Sequence, residues 1–209
     1  MSDNLSRGLN LRDIGIGWLG TYKFNKQWRL EHGITFTNGS GMNVPGPWEF
    51  SSTKNLFGRV GLRFKKESTS FRLGFSFGTG GIHDPADLLY DPIDDIFIKF
   101  TRYGTDVQIE HKWFYLVGEF AMGKESIADT TEDIVGYQMT FAAKTPWKIG
   151  PLARYDATGD EFQRTTVGLY YGEPKDRFRV LVNYEFRSKI IDIPEGHDDR
   201  LYIQLQLKF

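Results

Sequence analysis

The last ten residues, Arg200 to Phe209, read RLYIQLQLKF. Leu201, Ile203, Leu205, Leu207 and Phe209 share one parity, and Tyr202, Gln204, Gln206 and Lys208 share the other. Strict alternation is the mark of a β-strand whose two faces meet different surroundings. The end of a soluble domain is usually polar and loosely held. A strand that keeps its apolar face to a terminal aromatic asks for an apolar environment on that side.

The same pattern recurs ten times upstream. IGIGWLGTYKF aligns Ile14, Ile16, Trp18, Tyr22 and Phe24. QWRLEHGITFT sets Trp28, Leu30, Ile34 and Phe36 against Arg29, Glu31, Thr35 and Thr37. LFGRVGLRF, SFRLGFSFG, RYGTDVQIE, KWFYLVGEFAM, VGYQMTFAA, PLARYD, RTTVGLYY and RFRVLVNYEFR repeat the scheme, giving eleven strands with the last. The stretch HDPADLLYDPIDD at 83–95 has two prolines and five aspartates and reads as a loop, and no strong helix is visible.

The connections split by parity. FNKQ, KKEST, HK, TPWK and EPKD are tight; NGSGMNVPGPWEFSS, HDPADLLYDPIDD, GKESIADTTED, ATGD and SKIIDIPEGHDD are mostly long and polar. Short turns at one end and long loops at the other predict an up-and-down membrane barrel. No apolar run reaches the ~18 residues of a spanning helix. In lipid, only a closed sheet satisfies every backbone polar group among strands. Aromatics near strand ends, such as Trp28, Phe64, Phe71, Trp113, Tyr171 and Phe186, fit interfacial girdles. The predicted fold class is therefore all-β: a transmembrane antiparallel up-and-down β-barrel, with 1–209 as one domain. A soluble β-sandwich binding module, its apolar faces joined in a core, is the competing architecture.

Composition narrows the chemistry. The net charge of −1 gives no reason to expect nucleic acid. The chain has no cysteine, which removes disulfides, zinc–cysteine sites and thiol catalysis. The opening MSDNLSRGLN lacks the features of a secretory leader. Single-chain bacterial barrels have even strand numbers, so eleven strands lead to the expectation of a missed strand or of residues before Met1.

GWLGTYKFNKQWRLEHGITFTNGSG followed by FGRVGLRF resembles the central portion of the phosphate-selective porin O and P family. TNGSG (Thr37 to Gly41) and GRV (Gly58 to Val60) carry the resemblance. GPLARYD, TVGLYY, RVLVNYEF and DDRLYIQLQLKF are similar to that family's last four strands. The resemblance implies a cofactor-free sixteen-stranded trimeric pore in the bacterial outer membrane, of which this chain would be roughly the last two-thirds. It also implies that Phe209 acts as the terminal aromatic read by the barrel-assembly machinery. Its implied function is passive diffusion of small ions and solutes through a water-filled channel.

With this register, the lumen side carries the cations Lys23, Arg29, Arg59, Arg63, Arg72, Arg102, Arg154, Arg164, Arg177, Arg179, Arg187 and Lys208. Against them stand Asp13, Glu31, Asp106, Glu110, Glu119, Asp156 and Glu185. The ten arginines are the candidate anion pathway, because charged pore walls select opposite ions and the guanidinium fork suits phosphate oxyanions. The bland alternative is that they pair with nearby acids and hold the wall. The constriction loop of phosphate-selective members has no match here, so phosphate specificity does not follow.

Other motifs carry less. Asp84, Asp87, Asp91, Asp94 and Asp95 do not have EF-hand spacing. His32, His83, His111 and His197 form no metal-binding pair, so no metal site is expected. His32 falls on the apolar side with Ser40 a loop away, the basis of an alternative lipase-like role, but no third group completes it. An adhesive barrel is a further alternative. FGTGG (Phe77 to Gly81) lacks the GK[ST] ending of a phosphate loop and reads as relief of crowding in a curved strand.

Overall fold

In the computed structural model, the described residues are 15–37, 54–83, 97–127, 130–159, 162–172, 178–190 and 199–207. They form eleven strands and no helix. The strands are β1 (Gly15–Lys23), β2 (Trp28–Thr37), β3 (Asn55–Lys66), β4 (Thr69–His83), β5 (Phe97–Glu110), β6 (Phe114–Ile127), β7 (Thr130–Ala143), β8 (Ile149–Thr158), β9 (Phe162–Tyr171), β10 (Phe178–Ile190) and β11 (Arg200–Leu207). Each pairs antiparallel with its sequence neighbours in one sheet ordered β1 to β11. The expected all-β, up-and-down antiparallel architecture is present. Among the described residues β1 pairs only with β2 and β11 only with β10, so the sheet is not closed by these residues.

Local chemistry explains the tight turns. Asn25 Oδ1 accepts from the backbone N–H groups of Gln27 (2.8 Å) and Trp28 (2.9 Å), which folds the β1–β2 connection. Glu67 takes φ 50° in the short turn between β3 and β4. The parity of loop lengths holds only in part. Residues 38–54, 84–96 and 191–199 lie between strands at one end, yet at that same end β6 and β7 are separated by residues 128–129 alone. GKESIADTTED is therefore mostly strand. Its polar side chains face each other across the ladder, as in Ser126 to Thr131 at 2.9 Å, and this compensates for weak hydrophobic alternation. PLARYD likewise lies within a longer strand, β8.

The two faces differ in kind. The outward face carries Trp18, Phe75, Met139, Leu169 and Leu205, all exposed, Leu205 at 65%. Among the described residues this face is covered by no second layer, and the buried apolar side chains are few: Ile98, Phe100, Ala142 and Ala157. At the tight-turn end the outward aromatics gather. Trp28 packs on Phe64 (4.8 Å between centroids), Tyr22 on Phe24 (5.1 Å) and Tyr171 near Phe178 (6.3 Å), with Trp113 and Trp147 exposed in the turns. At the other end of this face Lys124 meets Asp133 at 3.7 Å, both well exposed. Phe178 to Phe186 is eight steps of ~3.3 Å along β10. That makes an apolar run about 26 Å long along the strand.

Candidate functional site

The opposite face carries the charge, and glycines make its geometry possible. Arg72 on β4 reaches Glu31 on β2 (Nη2–Oε2 2.6 Å), passing over Gly61 of β3. Arg59 on β3 reaches Asp106 on β5 at 2.5 Å, passing over Gly74 of β4. A Cβ at Gly74 would lie 2.5 Å from Asp106 Oδ1. The Phe57 ring crosses Gly78 to stack on Phe100 (6.1 Å, 23°). Each contact skips a strand; at Gly74 and Gly78 a Cβ would collide with the side chains that cross there, whereas at Gly61 it would find ordinary contact distances. The glycines of FGTGG have this use: Gly78 lies beneath Phe57, and Asn55 Oδ1 accepts from the Gly81 N–H at 2.8 Å. That agrees with the reading of FGTGG as relief of crowding.

On β8–β10 the charges form a chain. Arg164 binds Asp156 with both Nε and Nη2, the latter at 2.7 Å, and lies 3.6 Å from Glu185. Arg154 joins Asp156 (3.2 Å) and the Gln138 amide oxygen (3.0 Å). Arg187 donates to Glu185 (3.2 Å) and to the Tyr202 hydroxyl (3.3 Å). Asp156 is 3% exposed, so this network resists water more than a surface pair would. Arg102 pairs with Glu125 and packs over the Phe100 ring at 5.1 Å. Arg179 donates to Gln206 at 3.1 Å.

Most of the described candidate arginines are therefore held by a carboxylate, as the bland alternative had it. Among the described residues the exceptions are Arg29 and Arg179, both near the tight turns. Lys23, Arg29, Arg63 and Arg72 stand directly opposite one another on four successive strands. Glu31 is the one carboxylate that meets this row, 2.6 Å from Arg72 and 3.9 Å from Arg63; Arg29 and Lys23 have no ion-pair partner among the described residues. Lys26, Gln27, Arg29, Arg63 and Lys65 enclose a cleft of about 100 Å³. Like charges directly opposed across strands are destabilising, so sheet stability does not account for this row.

Glu125 joins the inner face because β6 continues past its apolar run, which alternation in the sequence does not show. Lys65 and Arg200 also share the inner parity. So do Leu19, Phe57 and Phe100, which local alternation assigns no role. Arg177 and Phe209 lie outside the described residues, as do Asp13, Lys208, Ser40, His197 and the aspartates of 84–95. His32 packs edge-on against Trp18 (5.5 Å) on the outward face. Among the described residues no cluster of His, Asp and Glu suits a metal.

Compared with known proteins, the chain matches no family model, no curated protein and no solved structure.

Proposed function

We propose that this chain forms the wall of a passive outer-membrane channel of the porin type, through which small anions pass in preference to cations. The observation that carries the membrane placement is the inverted polarity of the sheet. Eleven strands turn an uncovered apolar face outward, while the arginines and carboxylates crowd the other side. A sheet embedded in lipid has both edges paired. The proposal therefore requires β1 and β11 to close, with each other or with further strands. Trimeric assembly and the role of Phe209 rest on the resemblance alone; a preference for phosphate-like oxyanions rests on the donor fork of the arginines.

The preference for anions is supported by the row Lys23, Arg29, Arg63 and Arg72, whose four cations meet a single carboxylate, Glu31, among the described residues. Strands of a closed barrel tilt by ~35–45°, so a row perpendicular to them climbs the lumen wall as a ramp. Cations ~4.8 Å apart along such a ramp would pass an anion from one to the next. The test is the reversal potential of the protein in a planar bilayer under a salt gradient. An anion-preferring potential that moves toward neutrality in Arg29→Gln/Arg63→Gln is expected. A cation-preferring pore, or the absence of conductance, would overturn the proposal.

A further inference from the structure

The inner wall holds a second, separate feature: a cavity of about 400 Å³ on the concave side, lined by residues from β1 to β8. Its floor is a row of small residues in register, Ser76, Gly104, Ala121 and Gly136, ending at Thr158. Leu19, Phe57 and Phe100 form an apolar wall. The volume lies within the ~300–1,000 Å³ of small-molecule sites, which combine apolar surface with a few placed polar groups.

Thr158 and Glu119 at this cavity lack, among the described residues, what their surroundings should provide. Thr158 is 6% exposed and, among the described residues, its Oγ1 has no hydrogen-bond partner. A buried hydroxyl left unpaired costs ~1–3 kcal/mol unless something outside the chain satisfies it. Glu119 is the other. Asp106 is neutralised by Arg59, and Asp156 by Arg154 and Arg164, whereas Glu119 accepts only from the neutral Gln138 amide and has no cation within ion-pair distance among the described residues. Glu119 and Thr158 lie two strands apart with Ala121, Gly136 and Gln138 between them.

We infer that this cavity is a binding site for a small organic monocation with a flat apolar body and a hydroxyl. The ammonium would sit on the Glu119 carboxylate. The ring would lie over the small-residue floor against the apolar wall, and the hydroxyl would pair with Thr158 Oγ1. The site does not depend on conductance, so it stands or falls apart from the channel proposal.

Tyramine, which has an ammonium, a ring and a hydroxyl, is the probe. It is titrated calorimetrically into the full chain refolded in detergent micelles, beside phenethylamine, which lacks the hydroxyl, and 4-hydroxyphenylacetate, which carries a carboxylate in place of the amine. Saturable one-to-one binding of tyramine, several-fold weaker binding of phenethylamine and no binding of the carboxylate are expected. Glu119→Gln keeps the shape and the Gln138 contact and should weaken tyramine at least tenfold; Thr158→Val should weaken tyramine but not phenethylamine. Absence of saturable tyramine binding to the unaltered protein would overturn the inference, as would equal binding of the carboxylate or an undiminished affinity in a folded Glu119→Gln protein.

Discussion

Arg72 on β4 and Glu31 on β2 meet at 2.6 Å across an intervening strand, and the gap they cross is Gly61. The same device joins Arg59 to Asp106 over Gly74. Charged side chains on this face are thereby tied to partners two strands away.

The two glycines differ in what a side chain would meet, and so should their variants. At Gly61 an added Cβ has its nearest neighbours at 3.5 and 4.0 Å, so Gly61→Ala should change stability by less than about 0.5 kcal/mol. At Gly74 the Cβ falls on the Arg59–Asp106 pair, and Gly74→Ala should cost about 1–3 kcal/mol. Urea unfolding of the refolded proteins, followed by tryptophan fluorescence, would read the difference. Equal midpoints would show that the pair does not depend on the gap.

Arginines on the two halves of the wall should respond in opposite ways. Arg164→Gln leaves Asp156, 3% exposed, with only Arg154, and should destabilise by about 3 kcal/mol. Arg29→Gln removes a like charge directly opposite Lys23 and Arg63 and should leave stability unchanged or raise it by a few tenths of a kcal/mol, at about 0.2–1 kcal/mol per cross-strand pair. Its effect should appear in ion selectivity. The same unfolding measurement compares them, and a destabilised Arg29→Gln would mean that the row has a structural partner.

Adjacent residues on opposite faces give a test of the membrane placement. Met139 points outward at 58% exposure, while Thr140 lies on the inner face opposite Arg154. In lipid, Met139→Arg should cost about 2–4 kcal/mol, as for a cation near the middle of an apolar band. Thr140→Lys, facing water, should cost under about 1 kcal/mol. Refolding yield into vesicles of defined thickness, scored by heat-modifiable gel migration, separates the two. If both variants insert equally well, the outward face does not contact hydrocarbon.

Asn55 is 1% exposed and holds the Gly81 N–H, so Asn55→Ala strands a buried donor and should cost about 1–3 kcal/mol. Faster amide exchange at Gly81 would locate the damage at β3–β4. Unchanged exchange there would assign any loss of stability to another cause.

The alternation of RLYIQLQLKF and its ten counterparts was enough to define the strands, their number and the polarity of each face. Side-chain direction in a strand follows from position parity, which is a local property of the chain. Strand ends were harder to read. In β6 and β7 the polar stretch GKESIADTTED pairs with itself across the ladder, and a pattern search sees hydrophobic contrast, not pairing. The sequence also set which arginines face inward, but not which of them are occupied. That was decided by register and by where glycines fall on the intervening strands: Arg59 lies 47 positions from Asp106 and Arg72 41 from Glu31, separations at which parity carries no information about partners. The cavity bounded by Leu19, Glu119 and Thr158 was likewise invisible in the chain, because it exists only where the curvature of the sheet brings β1 and β8 to one concave surface. Curvature is a property of all the strands together, whereas alternation belongs to each strand alone.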